Sequence, residues 1–147
     1  MLRFAFLLSA ALAATSASAD PQLGRYMKML DQVCIQNAPE FSGEKIKAAF
    51  KKSEGLMGPN TSAVLTGTPG KNCRIYVRGS RPPVASREAT NEELKTLYAK
   101  LAQRLGAELV VRRPGTPKER YRVKSGRTSY YIRVSLDRTG FLHLSVN

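Results

Sequence analysis

The chain has 147 residues, with 24 Lys or Arg against 11 Asp or Glu, a formal net charge of +13, 42% hydrophobic residues and no Trp. That length holds one domain and excludes a second independent core, and the apolar share can fill a core, which excludes a disordered polyelectrolyte. The positive excess disfavours cationic partners and favours anionic ones: a lipid headgroup, an acidic polysaccharide or other envelope polymer, an acidic protein, or nucleic acid.

Met1 to Ala19 carries Arg3, then the apolar run Phe4 to Ala14, and closes on Ala17-Ser18-Ala19 before Asp20. It reads as a secretory signal peptide cut after Ala19. A membrane anchor needs about 20 apolar residues and this run is nearer half of that, so no membrane span is expected here or later in the chain. Asp20, not Cys, follows the cut, which leaves no thiol there to be lipidated. The expectation is a soluble exported domain, residues 20–147, periplasmic or secreted.

Export decides how Cys34 and Cys73 are read, because they are the only two cysteines. An oxidising compartment lets them persist as a disulfide, and with two the connectivity is forced. Closing a loop of about 40 residues contributes up to about 4 kcal/mol by loop entropy. The competing reading, a reactive thiolate, needs a partly exposed electropositive setting, and both cysteines fall on inward faces.

The first helix opens at Asp20-Pro21, a cap followed by the imino acid tolerated at the first helical position. Leu23, Tyr26, Met27, Leu30, Val33 and Cys34 then recur at three- and four-residue spacing and form one apolar stripe. A second helix is expected from Ser42 as cap, with Phe41 before it and Ile46 four positions on as a hydrophobic staple. Lys51 and Lys52 complement its last turn and Gly55 ends it. The third runs from Thr90, with Glu93 completing a capping box, through Leu94, Leu97, Tyr98, Leu101 and Leu105 to Gly106.

Strands are expected at Ser62 to Thr66 and Asn72 to Arg78, where Cys73, Ile75 and Val77 alternate with Arg74, Tyr76 and Arg78. Ser80 to Ala89 reads as a surface connection. After the third helix come a short strand, Glu108 to Arg112, a Pro114 and Pro117 loop, and three strands in succession. A two-residue turn at Ser125-Gly126 sets Tyr121 against Tyr130 and Val123 against Thr128; a three-residue turn at Arg138-Thr139-Gly140 sets Leu136 against Leu142, Val134 against Leu144 and Ile132 against Val146. Both registers collect the apolar side chains on one side. The predicted fold is α+β, a single domain with one disulfide, its three helices packed on one face of a largely antiparallel sheet of five to six strands.

The uncovered face collects the charge. By the same alternation Arg74, Tyr76 and Arg78 point there from one strand, and Arg120, Arg122, Lys124, Tyr131 and Arg133 from the hairpin. From Arg112 to Arg133 eight basic residues stand against one acid, Glu119. Guanidinium groups grip phosphate or carboxylate bidentately, and interleaved tyrosines can stack a ring. The plainer reading is a solvated sheet face whose Lys and Arg resist edge-to-edge sticking.

Other chemistry finds little support. His143, the single histidine, falls on the same face opposite Ser135, with no acid spaced to orient it, so a hydrolase using Ser135 and His143 is the weakest of the readings. One His and a paired Cys fall short of the three or four ligands zinc requires, so no metal and no cofactor is expected. Glu92 and Glu93 are explained by the helix start and Asp137 by a tight turn. Gly67 to Lys71 lacks the spacing of a phosphate loop, and Asn60-Thr61-Ser62 is a glycosylation acceptor only in a eukaryotic secretory route. The expected function is a small exported, non-catalytic binding protein whose basic face docks an anionic envelope or extracellular partner, with nucleic acid ranked below because an exported protein meets it less often. The alternative is a protein-interaction module, an inhibitor or assembly factor, working through its proline-bearing loops at Arg81 to Ser86 and Arg113 to Lys118.

Overall fold

The computed structural model describes residues 21–58, 60–79, 90–136 and 141–147. The segments expected to form a signal peptide, the Asp20 cap, the Arg81 to Ser86 loop and the Arg138-Thr139-Gly140 turn lie outside them. Helix α1 spans Pro21–Val33 and buries the predicted stripe, with Met29 added to it. A 3₁₀ turn, Ile35–Asn37, follows.

Helix α2 spans Gly43–Lys52. Ser42 stands at its N-cap but its side chain makes no capping bond, against the expectation. The backbone of Phe41 holds that entry instead. Its N–H donates to the Asn37 carbonyl at 2.8 Å, its carbonyl accepts from Gly70 N–H at 2.9 Å, and its ring is buried, as is Ile46. The helix ends at Ser53, not at Gly55: the Ser53 hydroxyl donates to the Ala49 carbonyl at 2.8 Å and competes with continuation of the helix.

Helix α3, Asn91–Leu105, carries the predicted capping box between Thr90 and Glu93, and Gly106 closes it in the left-handed conformation at φ 57°. It is tied to α1 by a Lys100–Asp31 ion pair at 2.7 Å and to the first 3₁₀ turn by Arg104 Nε donating to the Ala38 carbonyl at 3.2 Å.

The strands differ most from expectation. Among the described residues seven form two antiparallel sheets, not one sheet of five to six. The first holds β1 (Thr61–Leu65), β2 (Cys73–Gly79), β7 (Phe141–Val146) and β6 (Ile132–Leu136) in the order β1-β2-β7-β6; the second holds β3 (Glu108–Arg112), β4 (Arg120–Ser125) and β5 (Thr128–Tyr130) in the order β3-β4-β5. The β6–β7 register is the predicted one, Ile132 against Val146 through Leu136 against Leu142. The β4–β5 register is displaced by two: Val123 pairs Tyr130 and Ser125 pairs Thr128, so the turn is Gly126-Arg127. Gly126 takes φ 59°, and such turns place Gly at their first central position. A slip of two keeps every side chain on its own face.

Cys34 and Cys73 are joined, with 5.3 Å between their Cα atoms, and the bond ties the end of α1 to the start of β2. Around it the core gathers Tyr26, Leu30, Val33, Ile75, Val77, Leu142, Leu144 and Val146 from α1 and the first sheet, and Leu101, Tyr98, Tyr121 and Val123 from α3 and the second. Among the described residues no helix is long and apolar enough to cross a membrane.

Candidate functional site

Chain positions 128–136 form one run of alternating side chains, yet it changes partners in the middle. Up to Tyr130 it pairs with β4; from Tyr131 on it pairs with the C-terminal strand, Tyr131 exchanging both backbone bonds with Asn147 at 2.6 and 3.0 Å. Extending the β4–β5 ladder by one rung would set Arg122 against Tyr131, and by another Tyr121 against Ile132. The phenol of Tyr98 occupies that second rung: its oxygen accepts the Ile132 N–H at 2.7 Å and donates to the Ile132 carbonyl at 3.1 Å. A helix side chain thus satisfies the backbone groups that β4 has left, and β4 and β6 diverge like the prongs of a fork.

The space between the prongs is a groove of about 1080 Å³. Its walls come largely from the faces of the two sheets that alternation turns away from the core, and its floor reaches the core residues Tyr121, Ile132 and Val134 and, from α3, Leu94 and Tyr98. From the first sheet come Arg74, Tyr76, Arg133, His143 and Ser145; from the second, Val110, Arg112, Arg120 and Arg122, with Tyr131 where they meet. Six of the eight predicted residues therefore line one groove: Arg74, Tyr76, Arg120, Arg122, Tyr131 and Arg133. Arg78 and Lys124 do not. They point from the correct faces but sit at the far ends of their strands, Arg78 opposite Ser62 and Phe141, Lys124 opposite Glu108 and Ser129.

Sequence reading missed Arg112, Arg113 and Lys118 as members. The only signal was the density of basic residues beside Pro114 and Pro117, and Arg113 and Lys118 of that loop line the groove. The Arg113 to Lys118 loop assigned to the alternative reading is thus part of the same surface.

Among the described residues the groove's lining holds seven Arg or Lys and no Asp or Glu. Glu119, the one acid in the stretch, is buried and occupied: it accepts from the Tyr121 hydroxyl and from Gly115 N–H. The Tyr121 bond, and then the Gly115 bond, hold its carboxyl below the usual carboxylate range. Burial, then the same bond and the Glu119 charge, push the Tyr121 phenol up to about 12, and burial raises Tyr98 as well.

Arg112 and Arg120 lie directly opposite each other on β3 and β4, and like charges so placed are destabilising. Arg74 and Arg133 flank Ser145 across β7. At about 10 Å in water-like dielectric a pair of cations repels by only about 0.4 kcal/mol, so the fold tolerates the cluster while an anion gains from all of it. The Nε of Arg122 is buried with no hydrogen-bond partner among the described residues.

His143 stands opposite both Ser135 and Tyr76 in register and meets the Tyr76 ring edge to face, centroids 4.3 Å apart. No group of three or more His, Cys, Asp or Glu among the described residues is placed to hold a metal ion. No protein-family model, curated protein or solved structure matches the chain.

Proposed function

We propose that this protein is a small exported binding protein, acting without a catalytic step, whose groove docks an anionic partner of the cell envelope or the extracellular space: a polymer, a lipid headgroup or an acidic protein. The observation that carries the reading is the grouping of seven cationic side chains, five from the two sheets and two from the loop between β3 and β4, in one concavity whose lining includes no Asp or Glu among the described residues. Folding brings those charges together with no acidic side chain among the described lining residues, and a bound polyanion would relieve the Arg112–Arg120 repulsion while releasing its own counterions. Export is supported by the signal-like Met1 to Ala19 segment and by a disulfide of the kind that persists in oxidising compartments.

The test is a salt titration of binding to heparin, used as a linear polyanion. Affinity falls as salt rises, and replacing Arg74, Arg120 and Arg133 together by Ala lowers the slope of log K against log salt by about three, near one for each cation removed from the groove. Replacing the exposed Lys28, Lys45 and Lys51 removes the same net charge outside the groove and leaves the slope nearly unchanged. Equal effects from both triple variants would reduce the groove to a solvated surface. Partner binding that survives loss of the groove arginines would pass the role to the proline-bearing loops.

A further inference from the structure

We infer that the apex of the fork is a phosphate seat anchored by Arg122, and that the groove's occupant is a phosphorylated saccharide that sets its phosphate on Arg122 and a sugar ring against Tyr131. The inference rests on the anion-docking reading and narrows its ligand. Arg122 is the first β4 residue beyond the last paired rung, Val123–Tyr130. Arg122 lines the groove, and its buried Nε has no acceptor among the described residues; that unmet donor carries a desolvation penalty which is relieved when an oxyanion draws the guanidinium out into the groove. Arg120 follows on one prong and Arg133 on the other, both lining the groove. Three forked donors suit a group with three terminal oxygens, a phosphate monoester, better than a planar carboxylate with two.

The volume, about 1080 Å³, is that of a site for a drug-sized ligand, far larger than one phosphate ion, so the phosphate is carried on something bigger. Single-stranded nucleic acid binds by stacking successive bases on aromatic rings. Here Tyr98 and Tyr121 are buried with their hydroxyls bonded, and Tyr76 is engaged by His143. Tyr131, 45% exposed, is the one open ring among the described residues, enough for a single sugar. An acyl tail would have only the short apolar patch of Leu94, Val110, Ile132 and Val134 inside the groove and no strip leading on from it, since the large exposed hydrophobic residues among those described are Val64 and Tyr131.

The experiment titrates the disulfide-intact protein by calorimetry with glucose 6-phosphate, glucuronic acid, inorganic phosphate, an eight-residue oligothymidylate and phosphatidylglycerol vesicles. Glucose 6-phosphate is expected to bind at least ten-fold tighter than glucuronic acid and than inorganic phosphate. Arg122→Lys keeps the charge and the stem but loses the fork, and weakens glucose 6-phosphate about ten-fold while leaving the heparin salt slope unchanged. Tyr131→Ala removes the advantage of glucose 6-phosphate over inorganic phosphate and leaves inorganic phosphate itself unaffected; this variant decides the matter if Arg122→Lys does not fold. Equal affinity for the phosphate and carboxylate sugars, an unaffected Arg122→Lys, or ten-fold tighter binding of the oligonucleotide or the vesicles overturns the inference. If heparin still binds in a salt-dependent way, the broader reading survives that failure; if heparin does not bind either, both fall.

Discussion

Replacing Tyr98 by Phe deletes one oxygen and leaves the ring in place against Tyr121, whose centroid lies 5.5 Å away. The lost hydroxyl answers both the N–H and the carbonyl of Ile132, at 2.7 and 3.1 Å, and both residues are more than nine-tenths buried. Each buried backbone group left unmade costs about 1–3 kcal/mol. Both residues also line the groove, so water can reach part of the pair, and the net expectation is about 2–3 kcal/mol. For a chain of this size that lowers the melting temperature by roughly 10 °C. Urea unfolding followed by circular dichroism, with a thermal melt beside it, measures both quantities. A loss below about 0.5 kcal/mol, no more than an ordinary surface substitution, would refute the idea that Tyr98 stands in for β4 and wedges the fork open.

Two further outcomes follow from the same packing. Replacing Cys34 and Cys73 together by Ala opens a loop whose ends are 39 residues apart and is expected to cost about 2–5 kcal/mol in urea unfolding; an unchanged midpoint would mean the α1–β2 junction holds without the bond. In alkali, Tyr121 titrates near 12 and Tyr98 also above its ordinary value of 10.0. The folded state holds these protons more tightly than the unfolded chain, so the stabilisation is complete below pH 10 and drains away as pH rises towards about 12. Tyr121→Phe flattens that decline, and an identical pH profile in the variant counts against the buried Tyr121 phenol as its source. Glu119 works in the other direction: its lowered carboxyl adds stability above its ordinary 4.5 that disappears as pH falls.

The balance of the groove explains why the fold carries a cost it does not need for its own sake. Arg112 opposite Arg120, and the Arg122 Nε without a partner among the described residues, are both unfavourable, and on the proposed reading an oxyanion in the groove offsets both. A core of Cys34–Cys73, α1 and the first sheet lies on the far side of those strands and supplies the rigidity that keeps the cations together.

Much of this was readable from residues alone because it depends on short-range periodicity. The capping box at Thr90 and Glu93, the stripe through α1 and the pairing of Ile132 with Val146 each follow from spacing within a few residues or from a forced turn. Which face of a strand a side chain occupies has a period of two, so the displaced Gly126-Arg127 turn left Arg120, Arg122 and Tyr131 on the side assigned to them. Six of the named residues consequently meet in one groove even though the sheet they were placed on is really two.

That division was invisible because alternation runs unbroken from Thr128 to Leu136 and carries no mark of a change in neighbour. It is made by the Tyr98 hydroxyl, 34 positions away along the chain, when it takes the backbone bonds of Ile132. Local pattern therefore settled what each element is and which way its side chains point. The path of the chain in space settled the rest: that β7 lies beside β2, that β4 and β6 part, and that arginines far apart in sequence face one another across a cleft. The physical reason is that hydrogen-bond partners of a strand are chosen by whatever competes for its N–H and C=O groups, and here the competitor came from a helix.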